Sequence, residues 1–190
     1  MVTIRMSKKP LAILAGVVLV SVSSFGLWRW GPLADDQVVP SCGDLAEALP
    51  SAVEGSWTLT RTEPAREVSR SVARCEFGFR SADQSYWGKA VLDLSAGDDG
   101  AALSEKATDG PCYGEAVPNP SGAKYKVARS CSQKINDKAF AGVFVASDER
   151  YAHTLAEFSS SSLPMEQVVA YANISAQRII DRAMTLKASD

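Results

Sequence analysis

The feature that most constrains this chain is an apolar segment near its N-terminus. Residues 11–28, LAILAGVVLVSVSSFGLW, contain no charged side chain and are long enough to cross a bilayer as a helix. Three basic residues precede the segment and one follows it. Because excess Lys and Arg stays on the cytoplasmic side, the sequence predicts a cytoplasmic N-terminus over residues 1–10. Residues 11–30 are then a single-pass transmembrane signal anchor, and the rest of the chain is extracytoplasmic.

A cleavable signal peptide is the alternative interpretation of this segment, because it also combines a basic start with an apolar stretch. Ser21 and Ser23 would form a small-x-small cleavage site. The apolar stretch continues as far as Trp28, which favours a retained anchor in the cell membrane over secretion after cleavage. Both alternatives export the folded part of the protein.

The exported part consists of a linker over residues 31–41 and a domain over residues 42–190. Residues 31–190 carry 16 basic and 22 acidic residues, a formal charge of −6. An acidic surface repels phosphate backbones, and the sequence has no basic stripe with interleaved aromatic residues. Nucleic acid is therefore excluded as a partner, and the expected contacts are the membrane, through residues 11–30, and an unknown protein or cell-envelope component.

Four cysteines lie in the exported part, namely Cys42, Cys75, Cys112 and Cys131. An even set of cysteines in an exported domain favours two disulfides, and four cysteines allow three pairings. The sequence-local pairs, 42 with 75 and 112 with 131, are favoured because each joins neighbouring elements. A zinc site would require closer cysteine pairs or several histidines. Cys42 also lies too far beyond the apolar segment, and after the wrong residues, to be a lipid-anchor cysteine.

Hydrophobic periodicity predicts the order helix, three strands, short helix, three strands, long helix. Alternating apolar residues indicate strands in SWTLTRTE, SVARCEFGFRS and SYWGKAVLDLSAG, and again in three segments between residues 124 and 160. Apolar residues spaced three and four apart indicate a long amphipathic helix after Pro164. The predicted fold class is α+β, with a largely antiparallel sheet of about six strands. A short N-terminal helix and a long C-terminal helix are expected to pack on it, with all helices on one face.

The sequence gives little sign of catalytic chemistry. His153 is the only histidine, and Glu157 lies too far along the same strand to orient its ring as in a catalytic triad. The paired aspartates of SAGDDGAA fit a helix cap better than a calcium loop, which needs more acidic positions. The chain is therefore interpreted as non-enzymatic and without a metal or cofactor, and an envelope hydrolase ranks third among the hypotheses.

The favoured function is a non-catalytic binding or structural module, with Trp87, Tyr86 and Lys89 as recognition residues. Trp87 shares its strand face with Lys89, which makes it the aromatic residue best placed for contact with a partner. The alternative is a domain that binds a small apolar or lipid ligand between the sheet and the terminal helix. A closed apolar cavity would favour the ligand, and a flat exposed patch around Trp87 would favour the partner.

Two short motifs also resemble those of a known group of proteins. A cysteine opens a short helix in CGDLAEAL, and a second cysteine heads an aromatic strand in CEFGF. This arrangement, over residues 42–95, resembles actinobacterial exported domains of unknown function that occur as cell-envelope lipoproteins. The resemblance implies an α+β domain outside the membrane with a disulfide between Cys42 and Cys75. It implies no activity and no binding residue.

Overall fold

The computed structural model of the protein describes residues 39–63, 70–116 and 124–188. These residues belong to one compact unit, Gln37–Asp190. The predicted transmembrane segment lies outside the described residues. Within them, no helix combines the length and the apolar character that crossing a membrane requires.

Three helices and seven strands make up the described part of the domain. The helices are α1 (Cys42–Ala48), α2 (Gly100–Asp109) and α3 (Met165–Thr185), and a 3-10 turn, Leu49–Ser51, follows α1. The strands are β1 (Gly55–Glu63), β2 (Val72–Ser81), β3 (Trp87–Ala96), β4 (Glu115–Ala116), β5 (Val127–Ile135), β6 (Lys138–Ala146) and β7 (Arg150–Ser159).

The strands form a single antiparallel sheet in the order β1-β2-β3-β7-β6-β5-β4. It consists of two three-stranded meanders, β1 to β3 and β5 to β7, which join where β3 pairs with β7. The predicted α+β class and antiparallel sheet are confirmed. The expected strand count of about six omitted β4, because its two residues lie in a stretch rich in proline and glycine that reads as a loop.

The helices lie on both faces of the sheet, so the expectation of a single helical face was wrong. α1 and α3 cover the face formed by residues such as Phe77, Leu92 and Val143. α2 packs through Leu103 and Ala107 against the opposite face of β5 and β6. β6 makes this arrangement possible because apolar side chains occupy both of its faces.

Local sequence signals explain where the helices begin. The amide of Asp44 donates to the Ser41 hydroxyl, and the Ser41 amide donates back to the Asp44 carboxylate, at 3.1 and 2.8 Å. This capping box starts α1 at Cys42. Asp99 accepts from the amides of Ala101 and Ala102, so the paired aspartates form a helix cap as expected.

All four cysteines are paired in two disulfides, Cys42–Cys75 and Cys112–Cys131. Cys42–Cys75 fastens α1 to the second strand beneath it, within the main core. Cys112–Cys131 fastens the chain after α2 to β5, at the core under α2. Two disulfides and no free cysteine among the described residues fit an oxidising, extracytoplasmic compartment.

The β3–β7 junction leaves no room for a side chain at Gly88. A Cβ atom on Gly88 would overlap the Glu157 carbonyl oxygen and lie 2.7 Å from the Phe158 ring. Backbone at the centre of a sheet cannot move aside freely, so we expect Gly88→Ala to lower the free energy of unfolding by about 2–3 kcal/mol.

Gly43 in α1 provides the matched control, since a Cβ atom there would meet only the Ser41 hydroxyl at 3.6 Å. Because alanine favours helices, Gly43→Ala should raise stability by up to about 1 kcal/mol. Urea unfolding followed by circular dichroism measures both values. Equal stability of Gly88→Ala and the unmodified protein would contradict the tight β3–β7 contact.

Candidate functional site

None of the described residues covers one face of the sheet on its β2-β3-β7 side. α2 covers the same face only over β5, β6 and the start of β7. We call the uncovered area the open face. It is formed by alternate residues of three strands: Arg74, Glu76 and Arg80 of β2, Trp87, Lys89, Val91 and Asp93 of β3, and His153, Leu155 and Glu157 of β7.

Strand register arranges the open face in bands that run across the strands. Trp87 lies opposite Arg80, and Val91 lies opposite Leu155. Charged pairs occupy the positions between and beyond them, Lys89 opposite Glu157 and Asp93 opposite His153. Two bands that contain large apolar side chains, each with a charged β2 residue (Arg80 or Glu76), therefore alternate with two charged pairs.

Two of the apolar side chains are exposed to solvent although they are large. Trp87 is 36% exposed and Leu155 is 42% exposed, while Val91, opposite Leu155, is half-buried. Single exposed apolar residues are ordinary on protein surfaces. Here two large exposed apolar side chains lie on one sheet face with the Lys89–Glu157 pair between them, a mixture of apolar and charged groups that is typical of protein interfaces.

Glu157 organises the charges next to Trp87. The Lys138 ammonium donates to Glu157 Oε1 at 2.6 Å, and the Lys89 ammonium lies 3.3 Å from Oε2. Burial raises the pKa of Glu157, but the hydrogen bonds and charges of the two lysines outweigh it, so this pKa lies below its usual value. Glu157 is therefore an ionised bridge that holds two lysine side chains above the sheet.

A second charged cluster surrounds Asp93. Its carboxylate lies 3.7 Å from the Arg74 guanidinium and 3.5 Å from His153 Nδ1. The His153 ring stacks on Phe144, with 4.1 Å between ring centroids. Burial and the charge of Asp93 raise the pKa of Tyr151 to about 12. These contacts fix His153 as a partly buried strand histidine, as the sequence indicated.

The structure separates the three predicted recognition residues. Trp87 and Lys89 both lie on the open face, but Tyr86 lies on the opposite side of the sheet. Its ring stacks on Tyr171 of α3, with 4.8 Å between centroids, and contacts Phe79 and Phe158. Strand alternation explains this separation, since neighbours in a strand point to opposite faces.

Arg80, Leu155 and Glu157 were not predicted to share a face with Trp87. The alternation in RYAHTLAEFSS places Leu155 and Glu157 on one strand face. It does not show that β7, far along the chain, pairs with β3. That pairing places Glu157 opposite Lys89 and Leu155 opposite Val91, on the same face as Trp87.

A groove lies on the other side of the sheet, between α3 and the β2–β3 turn. It has a volume of about 470 Å³ and is open to solvent. Tyr86, Tyr171 and Ile174 line it together with the charged side chains of Glu54, Asp83 and Arg178. Hydrogen bonds from the Ser85 amide and from the Ser81 and Ser85 hydroxyls hold the pKa of Asp83 below its usual value. Asp83 therefore serves to order the turn.

The described residues contain no group of three or more His, Cys, Asp or Glu side chains placed to hold a metal ion. Comparisons of the chain with models of protein families, with curated proteins and with solved structures found no match. The resemblance to actinobacterial exported domains therefore stays a prediction, and the function is inferred from the geometry of the site.

Proposed function

We propose that this protein is a non-catalytic, membrane-tethered module that binds a protein partner outside the cytoplasm through its open face. The observation that carries the proposal is the exposure of Trp87 and Leu155 on one flat surface. Tryptophan is over-represented among the residues that dominate binding energy at interfaces. The paired charges around it supply the polar rim that such interfaces have.

The position of Trp87 in the sheet supports this proposal. The first described residue is Val39, whose amide donates to the Arg70 carbonyl oxygen close to the start of β2. Trp87 is the first residue of β3 and lies at the opposite end of the sheet. At about 3.4 Å per residue, the length of β3 separates the two ends by about 30 Å. A partner at Trp87 would therefore bind at the end of β3 that lies away from Val39.

The groove beside Tyr86 supports the alternative, a small ligand bound between the sheet and the terminal helix. It is open, however, and three of its ten lining residues, Glu54, Asp83 and Arg178, are charged. Under α3 the described core is filled by Phe77, Phe158, Ile179 and other fully buried residues. Apolar ligands are normally held in enclosed, mostly apolar pockets. The geometry therefore favours the open face as the principal site.

Site-specific photocrosslinking in native membranes tests the proposal. A photoreactive phenylalanine analogue replaces Leu155 on the open face or, as the matched control, Ile174 on α3. The two native side chains are similarly exposed, at 42% and 46%. We expect a discrete crosslinked protein from position 155 and at least about tenfold less of it from position 174, because interface energy is concentrated in a small central patch.

Two results would contradict the proposed function. One is the absence of any protein crosslink from position 155 when the variant is present at normal levels in the membrane. The other is the same partner captured with equal yield from both positions, which would mean that capture does not depend on the open face.

A further inference from the structure

The charge near Trp87 is opposite in sign to that of the whole exported part. Residues 31–190 have a formal charge of −6. Around Trp87, in contrast, the three cations of Arg80, Lys89 and Lys138 outnumber the two carboxylates, Glu157 between the lysines and Asp137 beside Lys138. This end of the open face is therefore positive within an acidic domain.

The arrangement of these groups exposes the cations and shields the Glu157 carboxylate. The side chain of Glu157 is 19% exposed, whereas those of Lys138 and Lys89 are 47% and 65% exposed. Glu157 and Asp137 together balance the two lysine charges. Arg80 is also exposed and forms no ion pair with any residue in the described part of the chain. A partner approaching Trp87 thus meets excess positive charge.

The other end of the open face has a different balance. Arg74 pairs with Asp93, and Arg61 of β1 pairs with Glu63. Glu76, half-buried between them in the sheet, adds a further carboxylate. The face is therefore polarised along the strands, positive at Trp87 and slightly negative towards Glu63. Such polarity selects the orientation of a partner as well as its charge.

From this pattern we infer that the partner docks an acidic segment on the Trp87 end of the open face. Its apolar side chains would contact Trp87 and Leu155, and its carboxylates would face Arg80, Lys89 and Lys138. A phosphate polymer would satisfy the cations but would leave both apolar side chains uncovered, so the surface fits an acidic protein segment better. This inference rests on the proposed function and specifies the chemistry of the partner.

Probes of defined charge test the inference on the full-length chain in nonionic detergent. The probes are a short synthetic peptide of alternating Glu and Leu, the same peptide with Lys in place of Glu, and inorganic polyphosphate. Binding is followed through the indole N–H resonance of Trp87, which is assigned with the variant Trp87→Phe. We expect the Glu/Leu peptide to shift this resonance and to bind at least about tenfold more tightly than the Lys/Leu peptide.

Charge reversal gives the matched comparison. Arg80→Glu should weaken binding of the Glu/Leu peptide at least about tenfold, and the milder Arg80→Gln should weaken it less. Lys187→Glu makes the same charge change at an exposed residue beyond α3 and should leave the affinity within about twofold. Circular dichroism of each variant verifies the fold.

Three outcomes would overturn the inference. They are equal binding of the Glu/Leu and Lys/Leu peptides, tighter binding of polyphosphate than of the Glu/Leu peptide, and unchanged affinity in Arg80→Glu. The proposed function fails separately, through the absence of a protein crosslink at position 155. A partner captured there with a yield that Arg80→Glu does not change would refute the acidic segment and leave the binding module standing.

Discussion

Replacing Cys42 and Cys75 together by alanine is expected to lower the free energy of unfolding by about 4 kcal/mol. The disulfide closes a loop with a sequence separation of 33 and fastens α1 to β2. Removing it enlarges the unfolded ensemble and frees the helix at the start of the domain. A typical domain is stabilised by about 5–15 kcal/mol, so this loss is a large part of its stability.

The second disulfide supplies the comparison for this prediction. Cys112–Cys131 has a sequence separation of 19, so the chain-entropy argument gives the double alanine variant a smaller loss of about 3 kcal/mol. Urea unfolding of both variants, side by side with the unmodified protein, measures the two losses. A smaller loss for the Cys42/Cys75 variant than for the Cys112/Cys131 variant would contradict the role of loop length and the anchoring of α1.

Phe158→Ala is expected to lower the free energy of unfolding by about 3–5 kcal/mol. Phe158 of β7 is fully buried beneath α3. Its ring stacks on Phe79 at 5.0 Å and contacts Tyr86 at 5.5 Å, measured between centroids. Alanine would leave a cavity at the point where both meanders meet the terminal helix. The loosened Tyr86 should also lose its fixed stacking on Tyr171.

A milder variant separates the effect of the cavity from the loss of the aromatic ring. Phe158→Leu retains most of the apolar volume and should cost no more than about 1.5 kcal/mol. Urea unfolding gives the stabilities, and near-ultraviolet circular dichroism reports the tyrosine environment. An equal loss in both variants would show that the ring contacts, and not the filled volume, stabilise this region.

Strand faces could be predicted from sequence because burial imposes a period of two. In SVARCEFGFRS the alternation assigned Ala73, Cys75, Phe77 and Phe79 to the core, and all four are buried. In KAFAGVFVAS the lack of a polar face predicted a strand buried on both sides, which β6 is. The long terminal helix could also be predicted, because Pro164 precedes its first residue and Glu166 lies in its first turn.

Long-range pairing could not be predicted from these patterns. A strand shows which of its faces is apolar but not which strand it will lie beside. The β3–β7 pair, which builds the open face, joins distant segments of the chain, as in Lys89 opposite Glu157, 68 positions later. The sequence also did not show which face of the sheet α2 packs against, because its short apolar stripe of Leu103 and Ala107 fits either face.

The central claim is that Trp87 anchors a protein partner on the open face. The most direct test is the yield of the photocrosslink from position 155 when Trp87→Ala is introduced, compared with Tyr113→Ala. Tyr113 is a more exposed aromatic residue, outside the open face, next to Cys112. We predict that Trp87→Ala lowers the yield at least about tenfold and that Tyr113→Ala leaves it unchanged. An unchanged yield in Trp87→Ala, with the domain folded, would contradict the account.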